Sequence, residues 1–207
     1  MSAPEPALKP GRYGAAGEQP VRIAARRCAL VQLMARRGKA EALATAMRAA
    51  FGLELPPPGH SAIAGDLIAL WLQPDAWMLM GRDESSLAGT VKAACGDVGS
   101  VVDQSHGRAV LSISGRDARD VLARLCRIDL HPHAFTTGRV AVTPIAELAC
   151  LLFQRDAVPS FDVPSFDVIV SSSYAGWFVD ALTHAAAVVG YEVPDAGQTA
   201  ELRAGAV

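Results

Sequence analysis

Along this chain of 207 residues the spacing of apolar positions changes repeatedly between a strand-like and a helical period. "RCALVQLMAR", from Arg27 to Arg36, is a short apolar run held between basic residues, which predicts a strand. "KAEALATAMRAAFG" follows with Leu43, Met47, Ala50 and Phe51 on one helical face and Gly52 as a stop. "LELPPPGHSA" reads as a proline-stiffened loop. "LIALWL" and "AWMLMG" flank the turn-like "QPD" and predict a hairpin. A helix from about Ser85 to Cys95 closes this half.

The second half opens with two strand-like segments, "SVVDQSH" and "RAVLSISG". A helix over Arg116–Cys126 presents Ala118, Val121, Leu122 and Leu125 as a stripe. Strands are expected at Val140–Thr143, Leu148–Phe153 and Val168–Ser171. A last helix over Tyr174–Val189 should face Trp177, Phe178, Ala181, Leu182 and Ala185 inward, with Ser173 as N-cap and Gly190 as stop. The order of elements predicts an α+β fold of two split βαβ-type units, each an antiparallel-rich sheet backed by helices. The units should cover residues 21–97 and 98–192, with the boundary near Gly96–Gly99. Residues 1–20, rich in Pro, Gly and Ala, read as a disordered arm and 193–207 as a tail. "VPSFD" at 158–162 recurs at 163–167, which suggests a hairpin loop lengthened by five residues.

Composition narrows the function classes. Hydrophobic residues make up 51% and charged residues 19%, an apolar balance that suggests surface hidden against a partner. A net charge of −2 points to neither nucleic acid nor an anionic membrane. The basic residues that lean N-terminal (Arg22, Arg26, Arg27, Arg36, Arg37 and Lys39) read as the exposed side of a strand. Cysteines at 28, 95, 126 and 150 form no CxxC pair and sit in apolar segments, as reduced, buried thiols do. The N-terminal stretch lacks the apolar core of a signal peptide, and no run of 18 apolar residues occurs. A cytoplasmic protein with no membrane contact is expected.

The stretch most suggestive of chemistry is "LCRIDLHPHAFTTGRVAVT" at 125–143. Cys126, Asp129, His131 and His133 have the residue types of metal ligands, but zinc sites usually draw on two closely spaced ligand pairs. Pro132 bends the chain between the histidines, and Cys126 ends the expected helix with its side chain toward the core. As a nucleophile, Cys126 has Arg124 and Arg127 nearby but stands at a helix C-terminus, where the dipole opposes a thiolate. Asp103–His106 supplies an Asp, a Ser and a His, yet neighbours on one strand do not form a triad alone. No GxGxxG, P-loop or GxSxG motif is present. The residues themselves predict no catalytic and no metal site. Asp129 should accept backbone N–H bonds within a turn.

Between residues 22 and 190, "LVQLMARRGKAEALA", "FGLELP", "LWLQPDAWMLM", "VVDQSHGRAVLSISGRDARDVLARLCRIDLHPHAFTTGRVAVT" and "FDVIVSSSYAGWFVDAL" resemble the gamma subunit family of heterotetrameric sarcosine oxidase. Asp103–Thr143 carries most of that resemblance. It implies an accessory subunit of a complex that oxidises sarcosine to glycine and passes the one-carbon unit to tetrahydrofolate. FAD, FMN, NAD and tetrahydrofolate would sit in the larger partners, zinc in the smallest, and none in this chain. The implied partners are the alpha, beta and delta subunits.

The same block also resembles, more distantly, the folate-binding aminomethyltransferase domain. The matching positions are Asp103–His106, Gly115–Ala118, Ile128–Asp129 and Gly138. Where that family carries an "Asp-Asp-Leu" acid, this chain has Ala146, Glu147 and Leu148. Glu147 is therefore the candidate cofactor-binding residue of an alternative reading, a stand-alone folate-binding or aminomethyl-transfer module. Two departures from the gamma pattern are Ser172, where the family tends to have arginine, and the "VPSFD" duplication.

Overall fold

A computed structural model describes residues 8–15, 19–82, 86–155 and 163–195. It is an α+β protein of two compact units, one formed by Arg27–Arg108 and the other by the segments up to Arg26 and from Ala109 onward.

In the Arg27–Arg108 unit, the expected first strand is β3 (Ala29–Ala35), and the expected helix follows as α1 (Ala40–Phe51). Gly52 stops α1 in a left-handed conformation, φ 64°. Leu43 and Met47 are buried as the period predicts, but Ala50 is exposed. The "QPD" hairpin forms between β5 (Leu67–Gln73) and β6 (Ala76–Gly81), and α2 (Leu87–Cys95) leads into β7 (Gly99–Asp103). β4 (Ser61–Ala64) lies partly within the stretch read as loop; too short and too weakly alternating to stand out, it is held by pairing with β5. The order is β4-β5-β6-β3-β7, antiparallel throughout. Val31, Leu33, Leu67, Ala69, Trp77 and Leu79 pack against Leu43, Met47, Val91 and Cys95 of the helices. Buried Trp77 donates its indole N–H to Pro56 O at 3.0 Å, so the proline loop supplies the one acceptor that this side chain needs.

The other unit is a seven-stranded sheet. Its strands are β1 (Gly11–Tyr13), β2 (Val21–Arg26), β8 (Arg108–Ser114), β9 (Val140–Ile145), β10 (Leu148–Arg155), β11 (Ser165–Ser171) and β12 (Tyr191–Val193), in the order β1-β12-β2-β8-β11-β10-β9. β12 runs parallel to β2 and antiparallel to β1, while β2–β8, β10–β9 and β10–β11 are antiparallel. Its helices are α3 (Ala118–Ala123) and α4 (Ala175–Ala186), the latter entered through a 3₁₀ turn at Ser172–Tyr174. Val121 and Leu122 of α3 and Phe178 and Leu182 of α4 pack on Ile23, Leu111, Phe166 and Val168.

Four expectations change here. The boundary lies after Arg108 instead of at Gly96–Gly99, because β7 pairs with β3, while β2 pairs with β8 of the other unit. The expected disordered arm contains an ordered segment: β1 pairs with β12, Tyr13 stacks on Tyr191 with centroids 5.1 Å apart, and Arg12 meets Glu192 at 3.1 Å. Trp177 points outward, 52% exposed. Ser173 is not the N-cap of α4; Tyr174 occupies that position, with no side-chain cap bond. The first "VPSFD" copy lies outside the described residues, whereas the second supplies Ser165, Phe166 and Asp167, all fully buried at the start of β11.

The arm passes very close to the end of α4. Ala15 N donates to Ala187 O at 2.9 Å. Gly14 has φ +79°, and a Cβ there would stand 2.4 Å from Ala187 O. Gly190 has φ +83°, and its Cβ would stand 2.2 Å from Ala15 O. Only glycine fits at either place. Gly14→Ala should therefore detach β1 while leaving the rest folded. Amide exchange at Arg12 and Tyr13 should accelerate at least tenfold, and unchanged protection would contradict this packing.

Candidate functional site

The residues that looked chemical in the sequence lie on the loop after α3 and on two turns. Arg124 and Leu125 close α3 through bonds to Val121 O and Leu122 O, and Cys126 N continues to Leu122 O at 3.0 Å. Cys126 then bridges to Ile145, which leaves it 7% exposed in the core. Burial pushes its thiol up, partly offset by a bond to the backbone at Ile128. A thiol so placed is a poor nucleophile and a poor ligand.

Asp129 accepts the His131 N–H at 2.8 Å, the expected turn. His131 Nδ1 in turn accepts the His133 N–H at 3.3 Å, and the two rings lie 5.1 Å apart, both exposed. His131 thus takes part in the turn through Nδ1. Cys126 is buried while the histidines face outward, so the three do not converge. Among the described residues no group of three or more His, Cys, Asp or Glu side chains is arranged to hold a metal ion.

What fixes this loop is Arg119 on α3, a residue that the sequence reading passed over. Its guanidinium donates to Leu130 O and, at 3.0 Å, to Phe135 O, and lies 5.2 Å from the Phe166 ring centroid. Burial lowers its pKa. The helical stripe marks Arg119 only as a polar position between core residues, and its carbonyl partners lie 11 and 16 residues away.

Asp103–His106 forms the β7–β8 turn. Asp103 accepts the Ser105 N–H at 2.9 Å, and Ser105 Oγ accepts Leu30 N–H at 3.1 Å. The bonds from Ser105, backbone first and then side chain, hold the Asp103 carboxyl below its ordinary range, and His106 adds a smaller pull. Ser105 is therefore engaged in tying the turn to β3, and no triad forms. Glu147 lies at the tip of the β9–β10 turn, exposed, with φ 64° beside Ala146 at φ 49°. Two positive φ values in succession are the signature of a type I′ hairpin turn, a conformation that favours Asn-Gly. The turn is tied to the segment just past α3 by Ala146 N–H donating to Leu125 O at 2.8 Å.

The strongest electrostatic cluster lies elsewhere, on the sheet face opposite the helices. Asp167 is fully buried and accepts from Ser112 Oγ at 2.6 Å. Its other oxygen takes Arg26 and, at 3.2 Å, Arg155 Nε. Arg155 also donates to Ser165 Oγ at 2.7 Å. Burial lowers the Arg155 pKa, Asp167 opposes that shift, and Arg26 adds to it. Arg22, partly buried, lies 3.9 Å from Glu192. Arg22 and Arg26 thus have carboxylate partners instead of forming the exposed, solvated stripe that the sequence suggested.

Residues 37–188 match the family described as "Sarcosine oxidase, gamma subunit family". The chain belongs to that family. Its relatives include the sarcosine oxidase subunit gamma of Arthrobacter sp., 37% identical over 141 residues and covering 67% of this chain and 68% of the relative. The subunit gamma of Corynebacterium sp. (strain U-96) is 32% identical over 146 residues, with the same coverage.

A similar fold is seen as well in the solved heterotetrameric sarcosine oxidase from Corynebacterium sp. U-96 in complex with pyrrole 2-carboxylate. A chain of that structure aligns with TM-score 0.68 and 30% identity over 84% of this chain and 89% of its own. The glycine cleavage system aminomethyltransferase T from Bartonella henselae aligns with TM-score 0.62 and 11% identity, over 84% of this chain and 48% of that one. That second likeness establishes a shared fold.

Asp167→Asn should leave two partly buried guanidinium groups without a full counter-charge and destabilise the chain by about 3 kcal/mol. In thermal denaturation this should lower Tm by roughly 6–12 °C for a chain of this size. A loss below 1 °C would contradict the assigned network. Asp103 gives a pH-dependent case. Its folded pKa is depressed, so its contribution is present above the unfolded pKa and lost as pH falls through the folded value. Asp103→Asn should thus lower stability near neutrality, by less than about 1 kcal/mol at so exposed a site. The difference from wild type should vanish in acid below the folded pKa; a difference that persists there would contradict the cause assigned.

Proposed function

We propose that this gamma-family chain is the structural gamma subunit of a heterotetrameric sarcosine oxidase, assembled with alpha, beta and delta subunits in the cytoplasm. The complex would demethylate sarcosine oxidatively to glycine and transfer the one-carbon unit to tetrahydrofolate. FAD, FMN, NAD and tetrahydrofolate would be held by the partner subunits. The observation that carries this reading is the family match over residues 37–188. It is supported by the likeness to a chain of a solved heterotetrameric enzyme.

The side chains agree with a non-catalytic role for this subunit. Cys126, Asp129, His131, Ser105 and Asp103 are engaged in core packing or turn bonds. The sequence contains no GxGxxG fingerprint of the kind that cradles a dinucleotide. Among the described residues, no helix is long and apolar enough to cross a membrane. Glu147 remains the one carboxylate matched to a folate contact, and its exposed place on a turn leaves it accessible.

Co-expression with the three companion subunits tests the reading. The chain should co-purify in equimolar amount. Alone it should show no flavin absorbance and no sarcosine-dependent peroxide. Its absence from the purified complex, or peroxide formed by the chain alone, would overturn the assignment. Titration calorimetry with tetrahydrofolate separates the alternative: saturable heat weakened by Glu147→Ala would favour an aminomethyl-transfer module.

A further inference from the structure

On the sheet face away from the helices, two arginines converge on one carboxylate oxygen. Arg26 of β2 and Arg155 of β10 both meet Asp167 Oδ2, Arg155 through Nε at 3.2 Å. Arg26 donates a hydrogen bond to that oxygen, and Ser112 holds the other at 2.6 Å. Arg155 has only proximity: its buried Nε has no hydrogen-bond partner, so Asp167 stands beside it out of line. One negative charge thus faces two positive ones, and Arg155 is the guanidinium short of an acceptor. Burial lowers its pKa, Asp167 opposes that, and the charge of Arg26 lowers it further. Ser165 Oγ accepts from Arg155 at 2.7 Å and fixes the direction of its fork.

The surplus of positive charge extends along the face. Arg22 stands on the same side of β2 as Arg26 and lies 3.9 Å from Glu192, which Arg12 also meets at 3.1 Å. Four arginines therefore share two carboxylates. Asp167 is fully buried, but the side chains of Arg26 and Arg155 are 21% and 16% exposed, so each keeps part of its surface open to solvent.

We propose that Arg26 and Arg155 together bind a small oxyanion, a phosphate or carboxylate group, through the solvent-facing nitrogens that Asp167 does not engage. Guanidinium forks match the geometry of such groups and hold them by charge-assisted hydrogen bonds. One further negative charge would bring the pair and its carboxylate to balance. The site lies wholly within this chain, so it goes beyond the gamma-subunit reading and does not depend on it.

The test titrates the purified full chain, carrying isotope-labelled arginine, with inorganic phosphate and separately with acetate, at an ionic strength held constant with chloride. At least one anion should move the Arg26 and Arg155 side-chain N–H resonances saturably and raise Tm, as a ligand of the folded state does. Which of the two acts assigns the group as phosphate or carboxylate. Arg155→Gln leaves one arginine to one carboxylate, and should keep the fold while lowering affinity roughly tenfold. Arg155→Lys keeps the charge without the fork and should lower affinity roughly threefold, so the outcome does not hang on one variant. Arg22→Gln, on the same face but outside the pair, should leave affinity within about twofold of wild type. No saturable response to either anion would overturn the site, as would equal responses in wild type and Arg155→Gln. A loss in Arg22→Gln as large as that in Arg155→Gln would also overturn it, because the anion would then be drawn by the whole face and not held by the pair.

Discussion

Asp167 connects four neighbouring strands through side chains alone. It takes Arg26 from β2, Ser112 from β8 and Arg155 from β10, and stands itself on β11. A buried carboxylate is costly unless its acceptor sites are filled, and here Ser112 and Arg26 donate to it while Arg155 stands beside it as a second counter-charge. The two guanidinium groups would be costly in turn without it. The network therefore specifies register: sliding β11 by one residue would place Phe166 among the arginines and Asp167 against Leu122 and Phe178 on the helix side. This constraint gathers strands from both ends of the chain, since β2 precedes the Arg27–Arg108 unit and β8 follows it.

The elements governed by local rules were legible in the sequence. The helical period and Gly52 gave α1, and the apolar runs around "QPD" gave the β5–β6 hairpin. Elements fixed by distant partners were not. β1 has three residues and no apolar period; it exists because β12 offers it a backbone edge and Tyr191 a ring to stack on. The unit boundary was misplaced for the same reason, because whether β7 pairs with β3 or β8 is not written in either strand. Trp177 shows the limit of hydrophobicity as a guide to burial, since an aromatic residue at a helical position is equally at home in a core and at an interface.

The candidate site was legible as fold and misleading as chemistry. The residues of "CRIDLHPH" occur together because a short helix must end, turn and feed an edge strand within about twenty residues. Asp129 and His131 provide the turn's acceptors, and Arg119 binds its carbonyls from α3. Arg119 and Asp167 could not be singled out from spacing, because their partners are set by tertiary packing. The polar side chains that looked chemical are engaged in turns and core packing of the chain's own architecture.

The most direct test of that account measures sarcosine turnover by the assembled complex carrying His131→Ala, His133→Ala, Asp103→Asn or Glu147→Ala in this subunit, one at a time. With none of these groups in the reaction, kcat/KM should stay within about threefold of wild type in every case. Removal of a general acid, base or nucleophile costs about a hundredfold or more. A loss of that size from any one substitution, in a complex of normal composition, would contradict the claim that this subunit contributes structure and not chemistry.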